Sequence, residues 1–516
     1  MEAVPGDEHA VPGDGGGGDG EAEAGFGVRA GGVSSVAGAG GRGRRLDRTD
    51  GLMGGVGEVD GVGGDALSRW VASRWFAMLG VVLVGYLVAG RGFAYLGVRP
   101  LFIGELTLAA GLATVLVLRR SWAAMGLTIN LLIGAMLVWA AARTLPYLGT
   151  YGISAPRDAV ALGYALLAVV VSAVVIEHPW LLRRALDWVR RAAPWVIVML
   201  TGAVVLCTVA KGVIPEWPGT GIRVIDTKVG DPLVHVGGLA VLLMLGFTRL
   251  RGWLWALPLG GMFGVLGMMS RGAMLATLAA VGLATVFYPR SEWLPRALLI
   301  GLGVLTVVIV VDPVVTLPGR ERQVSVEQAV QNVVSIVGDS NTGDLSGTKS
   351  WRLDWWEKIV GYTFGGDYFW TGKGFGVNLA NVDGFQVFED ESLRSPHNAA
   401  MTVLARAGVP GLAMWSAVHL VWLGMMIGLY RRARLAGQEA WARLAVALVA
   451  YWLALHVHAA FDVYFEGPMG GFWVWSVMGL GVGAAWVQRC HPEVLRDEEV
   501  LDEAVQRGAL AGGHQR

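Results

Sequence analysis

Residues 253–288 read WLWALPLGGMFGVLGMMSRGAMLATLAAVGLATVFY, with one charge, Arg271. The stretch is too long for one membrane crossing of about 20 residues. Ser270-Arg271-Gly272 divides it into two apolar runs with the arginine at their junction. Splitting it there predicts paired spans and sets the parity of everything downstream.

Comparable runs recur on both sides, and twelve hydrophobic segments are expected: 72–90, 101–118, 122–142, 158–177, 194–212, 233–248, 253–269, 272–288, 296–312, 397–429, 443–461 and 468–487. The fold class is therefore an all-α polytopic membrane protein of about 12 transmembrane helices, with one long external loop, 313–396, between helices 9 and 10. Composition agrees. Of 516 residues 54% are hydrophobic and 16% charged, against about 25% charge in a soluble domain. With 41 basic and 41 acidic residues, no bulk attraction to nucleic acid is expected. Cys207 and Cys490 are too few for a disulfide framework and are expected to be free.

Arginines cluster at 119–120, 183–191, 249–251, 290–296 and 431–443, in every second connection. By the positive-inside bias those connections are cytoplasmic, which places both termini inside and the long loop outside. Residues 1–69 are glycine-rich and read as a disordered cytoplasmic tail, residues 70–487 as the transmembrane domain, and residues 488–516 as a cytoplasmic C-terminal tail.

Several residues carry chemistry. Arg271 either snorkels to headgroups or faces an anion, since an arginine in the bilayer centre costs about 2.5–3.5 kcal/mol; Gly272 and Ala273 beside it leave room for a ligand. Arg352, in Ser350-Trp351-Arg352-Leu353-Asp354, lies on an amphipathic helix and either pairs with an acidic residue of that helix or faces a substrate. Gly372-Lys373-Gly374-Phe375-Gly376 lacks the spacing of a phosphate-binding loop and reads as a flexible turn. Ser395-Pro396-His397-Asn398 opens the tenth segment, with His397 either a helix cap or a titratable group at the water boundary. His456, His458 and Asp462 suggest a His458–Asp462 hydrogen bond more than a metal site, and no metal or other cofactor is expected.

Taken in order, these features resemble the O-antigen ligase and polymerase superfamily. The resemblance rests on Ser-Arg-Gly-Ala at 270–273, Trp351-Arg352, Gly372-x-Gly374-x-Gly376, and His397-Asn398-x-x-Met401-x-x-Leu404-x-x-x-Gly408-x-x-Gly411-Leu412. It implies a metal-independent, inverting glycosyltransferase of the bacterial cytoplasmic membrane. Such enzymes move a glycan from an undecaprenyl-diphosphate carrier to an acceptor hydroxyl on the outer face, the acceptor being glycan, lipid or protein. By position it assigns Arg271 and Arg352 to the donor diphosphate, His397 to catalysis, and Arg223 and Asn398 to substrate binding. Asp231-Pro232-Leu233 stands where the family usually has an Asn-containing segment after the arginine matched by Arg223. If His397 is the base, transfer is expected to slow as pH falls through the imidazole pKa, about 6.5 if unperturbed. The alternative is a transporter or flippase of lipid-linked or anionic substrates, which would place its charges near the bilayer midplane.

The topology is directly testable. A cysteine at Gly343 should react with an impermeant thiol reagent from outside and one at Gly437 should not; labelling of both from one side excludes the twelve-span arrangement.

Overall fold

Alternation of apolar runs with short polar connections produces an almost wholly helical chain. The computed structural model describes residues 59–98, 101–118, 124–248, 252–289, 315–316, 323–324 and 343–496. The main helices are α1 (Val59–Ala89), α2 (Ile103–Val117), α3 (Thr128–Thr144), α4 (Ser154–Gly163), α5 (Leu166–Glu177), α6 (Trp180–Val209), α7 (Gly230–Met244), α8 (Gly252–Met269), α9 (Arg271–Phe287), α10 (Gly343–Phe364), α11 (Leu379–Asp383), α12 (Ala399–Leu435), α13 (Glu439–Ala459) and α14 (Pro468–Cys490). Two antiparallel strand pairs, β1 (Gly97–Val98) with β2 (Leu101–Phe102) and β3 (Val315–Thr316) with β4 (Gln323–Val324), are the only strands among the described residues.

Each expected segment is a helix or helix pair except the ninth, 296–312, which lies outside the described residues. Seven helices among those described are long and apolar enough to cross a membrane. Four shorter apolar helices, Ile103–Val117, Gly230–Met244, Leu257–Gly267 and Arg271–Phe287, fall below the length a full crossing needs. The predicted break at Ser270 is present: α8 ends at Met269, Ser270 is extended, and α9 starts at Arg271. Helix α1 begins at Val59, inside the stretch expected to be a disordered tail, and α14 runs to Cys490, into the expected C-terminal tail. Both cysteines are free.

Without a hydrophobic force between helices in lipid, close approach depends on small residues. On α14, Gly479 and Gly483 face α5, where an added Cβ would come within 2.7 Å of Val171 and 2.6 Å of Val175. Gly481 faces the Trp422 indole of α12. Gly237 and Gly238 on α7 likewise meet Thr277 of α9 and Tyr451 of α13.

Polar contacts sort the connections into two ends. At one, Ser68 bonds His178 (3.0 Å), Arg184 donates to Ser73 (2.9 Å), Arg432 to Gln488 (3.0 Å) and Arg443 to the Leu245 carbonyl (3.4 Å). At the other, Arg143 donates to the Thr371 carbonyl (2.8 Å), Arg394 to Asp158 (3.0 Å) and Lys228 to Asp462 (3.1 Å). Of the arginine-rich connections, those at 183–191 and 431–443 contribute contacts to the first group, and the segment 343–397 contributes to the second; the connections at 119–120, 249–251 and 290–296 lie outside the described residues.

Helix α12 is interrupted at Gly408 (φ 71°, ψ −173°), a conformation essentially reserved for glycine. The turn 372–376 closes on this break. Lys373 N–H donates to the Ala405 carbonyl (2.7 Å), Gly374 N–H to Arg406 (3.0 Å), and Val409 N–H to Phe369 (2.8 Å); Trp139 satisfies the Ala407 carbonyl (2.8 Å). Gly372, Gly374 and Gly376 all have positive φ, and a Cβ on Gly374 would strike the Tyr147 ring. The expectation of a flexible turn is therefore corrected: the glycines permit a tight backbone dock, and Lys373 pairs with the buried Asp383 carboxylate.

Gly408→Ala should destabilise the protein by about 2–3 kcal/mol, because its Cβ would lie 2.6 Å from the Phe369 carbonyl oxygen. Gly424→Ala, on the same helix with open space around it, should be neutral or slightly stabilising. Thermal unfolding in one detergent distinguishes them; equal melting temperatures would contradict the interlock.

Candidate functional site

Helix α10 docks through its buried face. Trp355 stacks on Phe385 and donates to Asp383 (2.7 Å), and Trp356 donates to the Pro396 carbonyl (2.9 Å), so α10 holds the chain just before His397. A carboxylate in α4 holds the same segment from the other side. Asp158, almost fully buried, receives Arg406 (3.1 Å), Arg394 (3.0 Å) and the Gly376 N–H (3.2 Å). Arg394 also donates to the Gly376 carbonyl (2.9 Å), and Arg406 to Val377 (3.0 Å).

Between these anchors His397 adopts φ 54°, a positive φ uncommon for a side-chain-bearing residue and costing about 1–3 kcal/mol. It is not the helix start that Pro396 suggested. Helix α12 starts at Ala399, and Asn398 caps it by accepting the Met401 N–H (3.0 Å). Asn398 Oδ1, expected to meet substrate, is thus engaged in capping.

Arg352 reaches across from α10 and donates to the Phe461 carbonyl (3.1 Å), beyond the end of α13, rather than pairing with an acid on its own helix. Its Nε is buried without a hydrogen-bond partner, as is Nδ1 of His397. Burial lowers the Arg352 pKa and the nearby Arg271 guanidinium lowers it further, while Asp462 opposes them. Arg271, Arg352 and His397, far apart in sequence, therefore converge. Arg223 sits in the 214–226 loop, its backbone bridged to Glu216 and packed on Gly92.

The loop cation that does reach the group is Lys228, bound to Asp462 at 3.1 Å. The expected His458–Asp462 pair is replaced, because Asp462 turns to Lys228 while His458 Nε2 bonds Asp231 Oδ1 (3.2 Å). Glycines allow this crossing. A Cβ on Gly230 would lie 2.6 Å from the His458 ring, and one on Gly272 would lie 3.0 Å from Phe461. The space expected beside Arg271 at Gly272 is therefore occupied by Phe461. Among the described residues no three His, Cys, Asp or Glu side chains form a metal-holding group.

Burial pushes the His397 imidazole down to about 4; Arg352 and Lys228 push the same way, and Asp462 only partly offsets them. The surroundings therefore perturb the imidazole from its ordinary value of about 6.5. Burial alone would raise the Asp462 carboxyl, but Lys228, His458 and His397 hold it low. The result is a half-buried polar group in which Arg271, Arg352 and Lys228 stand around Asp462, with Asp231 and Glu466 near Lys228 and the His397 imidazole alongside.

Sequence reasoning missed Lys228, Asp231, Asp158 and Asp383. The chain is poor in lysine, so Lys228 and Lys373, both paired with carboxylates, were the available signal.

Residues 254–416 match the family model described as O-antigen ligase, Wzy_C. The match supports the O-antigen ligase and polymerase superfamily, a class of polytopic membrane proteins of polysaccharide biosynthesis. It contains Arg271, Arg352, His397 and Gly408, and ends before Lys228's partner on the loop after α13. No curated protein matches the chain.

Arg352→Gln should raise the His397 pKa above about 4 but leave it short of 6.5, since burial persists; Asp462→Asn should lower it. Imidazole nitrogen shifts followed by NMR across pH 3–8 report both. An unmoved titration in both variants would contradict the charge arrangement.

Proposed function

We propose that the protein is a metal-independent, inverting glycosyltransferase that moves a glycan from an undecaprenyl-diphosphate carrier to an acceptor hydroxyl, at the outer face of the bacterial cytoplasmic membrane. The observation that carries this reading is the convergence of Arg271, Arg352 and His397 from α9, α10 and the lead-in to α12. They meet at the end opposite the arginine-rich connections, which the positive-inside bias makes external. The O-antigen ligase match over the same residues supports it. Charges gathered at helix ends also fit an interfacial reaction better than a transporter, which would gather them at the midplane.

In this mechanism Arg271 and Arg352 grip the diphosphate, with Lys228 a third cation. Guanidinium groups suit the role because they meet two phosphate oxygens at once and stay charged when partly desolvated. The acceptor O–H gives its proton to the neutral His397 imidazole as its oxygen attacks the anomeric carbon. The anomeric C–O bond breaks with its electron pair leaving on the lipid diphosphate, whose growing charge the cations stabilise. One displacement inverts the anomeric centre. Asp462 and Asp231 supply counter-charge to Lys228 and His458, and Arg223 and Asn398 remain the residues assigned to binding the rest of the substrate.

His397→Ala should lose about 100- to 10,000-fold in transfer rate while keeping carrier affinity. Arg271→Lys and Arg352→Lys should both be impaired, having charge without the fork. Carrier binding and single-turnover transfer on purified variants decide this; loss of carrier affinity in His397→Ala equal to that in Arg271→Ala would remove the base assignment.

The pH profile is a separate test. The neutral imidazole is the active form, so activity falls on acidification. For the free enzyme the acid limb of kcat/KM should lie near 4. In kcat it should lie higher, because bound diphosphate offsets the cations that depress His397. An acid limb that persists unchanged in His397→Gln would show that His397 is not the titrating base.

A further inference from the structure

Helix α12 carries no Asp, Glu, Lys or Arg between Arg406 and Arg431. Arg431 is exposed, and about 20 helical residues, enough for a hydrocarbon core about 30 Å thick, lead back from it to Gly411. The far boundary of the hydrocarbon therefore falls beside the Gly408 break and the turn docked on it. Helix α3 gives the same level. The chain carries none of those charges from Ser121 to Ala142, and Arg143, just beyond, donates to the Thr371 carbonyl of that turn.

Two exposed apolar surfaces meet there. In the turn, Trp370 follows Phe369, whose carbonyl holds the Val409 N–H, and its side chain is 67% exposed; Phe364 and Tyr368 of the same turn are exposed too. The second surface is the tip of the α3–α4 hairpin. Beyond Thr144 the chain makes two short helical turns, Leu145–Tyr147 and Leu148–Tyr151, and stays uncharged as far as Pro156. Tyr147 and Tyr151 pack inward on Gly374 and Gly376, while Leu145, Leu148 and Ile153 are exposed. Charges bound these surfaces on the water side. Asp367 is the one charged residue from Phe364 to Trp370, and Asp354, Glu357 and Lys358 are exposed on α10.

We propose that the α3–α4 tip and the 364–370 turn form a shelf seated in the headgroup layer of the bilayer leaflet opposite Arg431. The shelf continues the lipid-facing surface of the two spans it caps, where Val138 of α3 and Leu420 of α12 are exposed. Its composition fits that depth: tryptophan and tyrosine gather at the headgroup level, and a carboxylate such as Asp367 is tolerated there but costly at the bilayer centre. The shelf is tied to the 372–376 turn, and through Gly376 and Asp158 to Arg394. It thereby sets the height of His397 above the lipid.

The test is spin labelling of the full-length protein in phospholipid nanodiscs, with Cys207→Ser and Cys490→Ser removing the native thiols. Nitroxides are attached to Trp370→Cys, Leu148→Cys and, as an aqueous reference, Glu389→Cys, all of them exposed positions where a label displaces no packed side chain. A soluble nickel chelate should collide several-fold less with the labels at 370 and 148 than with the one at 389. Nickel held on a chelating lipid headgroup should reverse that order. Access of the soluble chelate to 370 or 148 equal to that at 389 overturns the proposal, and leaves an aqueous aromatic surface suited to stacking on a glycan. Weak collision of either label with both nickel probes overturns it as well, by showing that protein, not lipid, covers the surface.

Discussion

One buried carboxylate constrains the part of the molecule around His397. Asp158 lies on α4, yet its partners are on the 372–376 turn, the segment before His397, and α12 beyond it. Each partner is held again by a backbone carbonyl, so the ion pairs are part of a hydrogen-bonded lattice. Removing one member of such a buried pair costs about 3–5 kcal/mol, because the other is left charged and unpaired. The cost protects a geometry. The unusual backbone at His397 persists because the chain is pinned on both sides, by Arg394 to Asp158 and by the Asn398 cap on α12.

The break at Gly408 belongs to the same construction. An unbroken α12 would leave no unpaired carbonyls to receive the glycine turn, and the turn could not bring Gly376 to Asp158. Glycine on both sides of the contact lets two backbones meet directly. Helix geometry, ion pairing and loop placement are thus one cooperative unit, and α10 is fastened to it through Trp355, Asp383 and Lys373.

Much of this architecture was legible in the sequence, and the reason is periodic. Apolar runs of membrane length, punctuated by arginine clusters in alternate connections, mark the helices and group their ends. The Ser270 break was readable because an arginine interrupts an otherwise uncharged stretch. Arg271, Arg352 and His397 stood out as charged or titratable groups where such groups are costly. Pair partners were not legible. His458 and Asp462 share a helical spacing, yet each bonds to a residue more than two hundred positions earlier, and only tertiary packing decides between near and distant partners. The glycine turn misled for a related reason: glycine signals conformational freedom in sequence, but here supplies closeness, which depends on what lies opposite.

Helix α9 begins at the junction itself. Ser270 is extended and supplies no side-chain cap, and its carbonyl already accepts the Met274 N–H. The first backbone N–H groups of α9 therefore open on the junction, with the positive end of the helix dipole behind them. That half-charge belongs to the main chain, and no side-chain substitution at position 271 removes it. The positive field at this corner is accordingly shared between a replaceable guanidinium and a permanent backbone source. Sequence drift at the arginine would weaken the corner's hold on anions without reversing its sign.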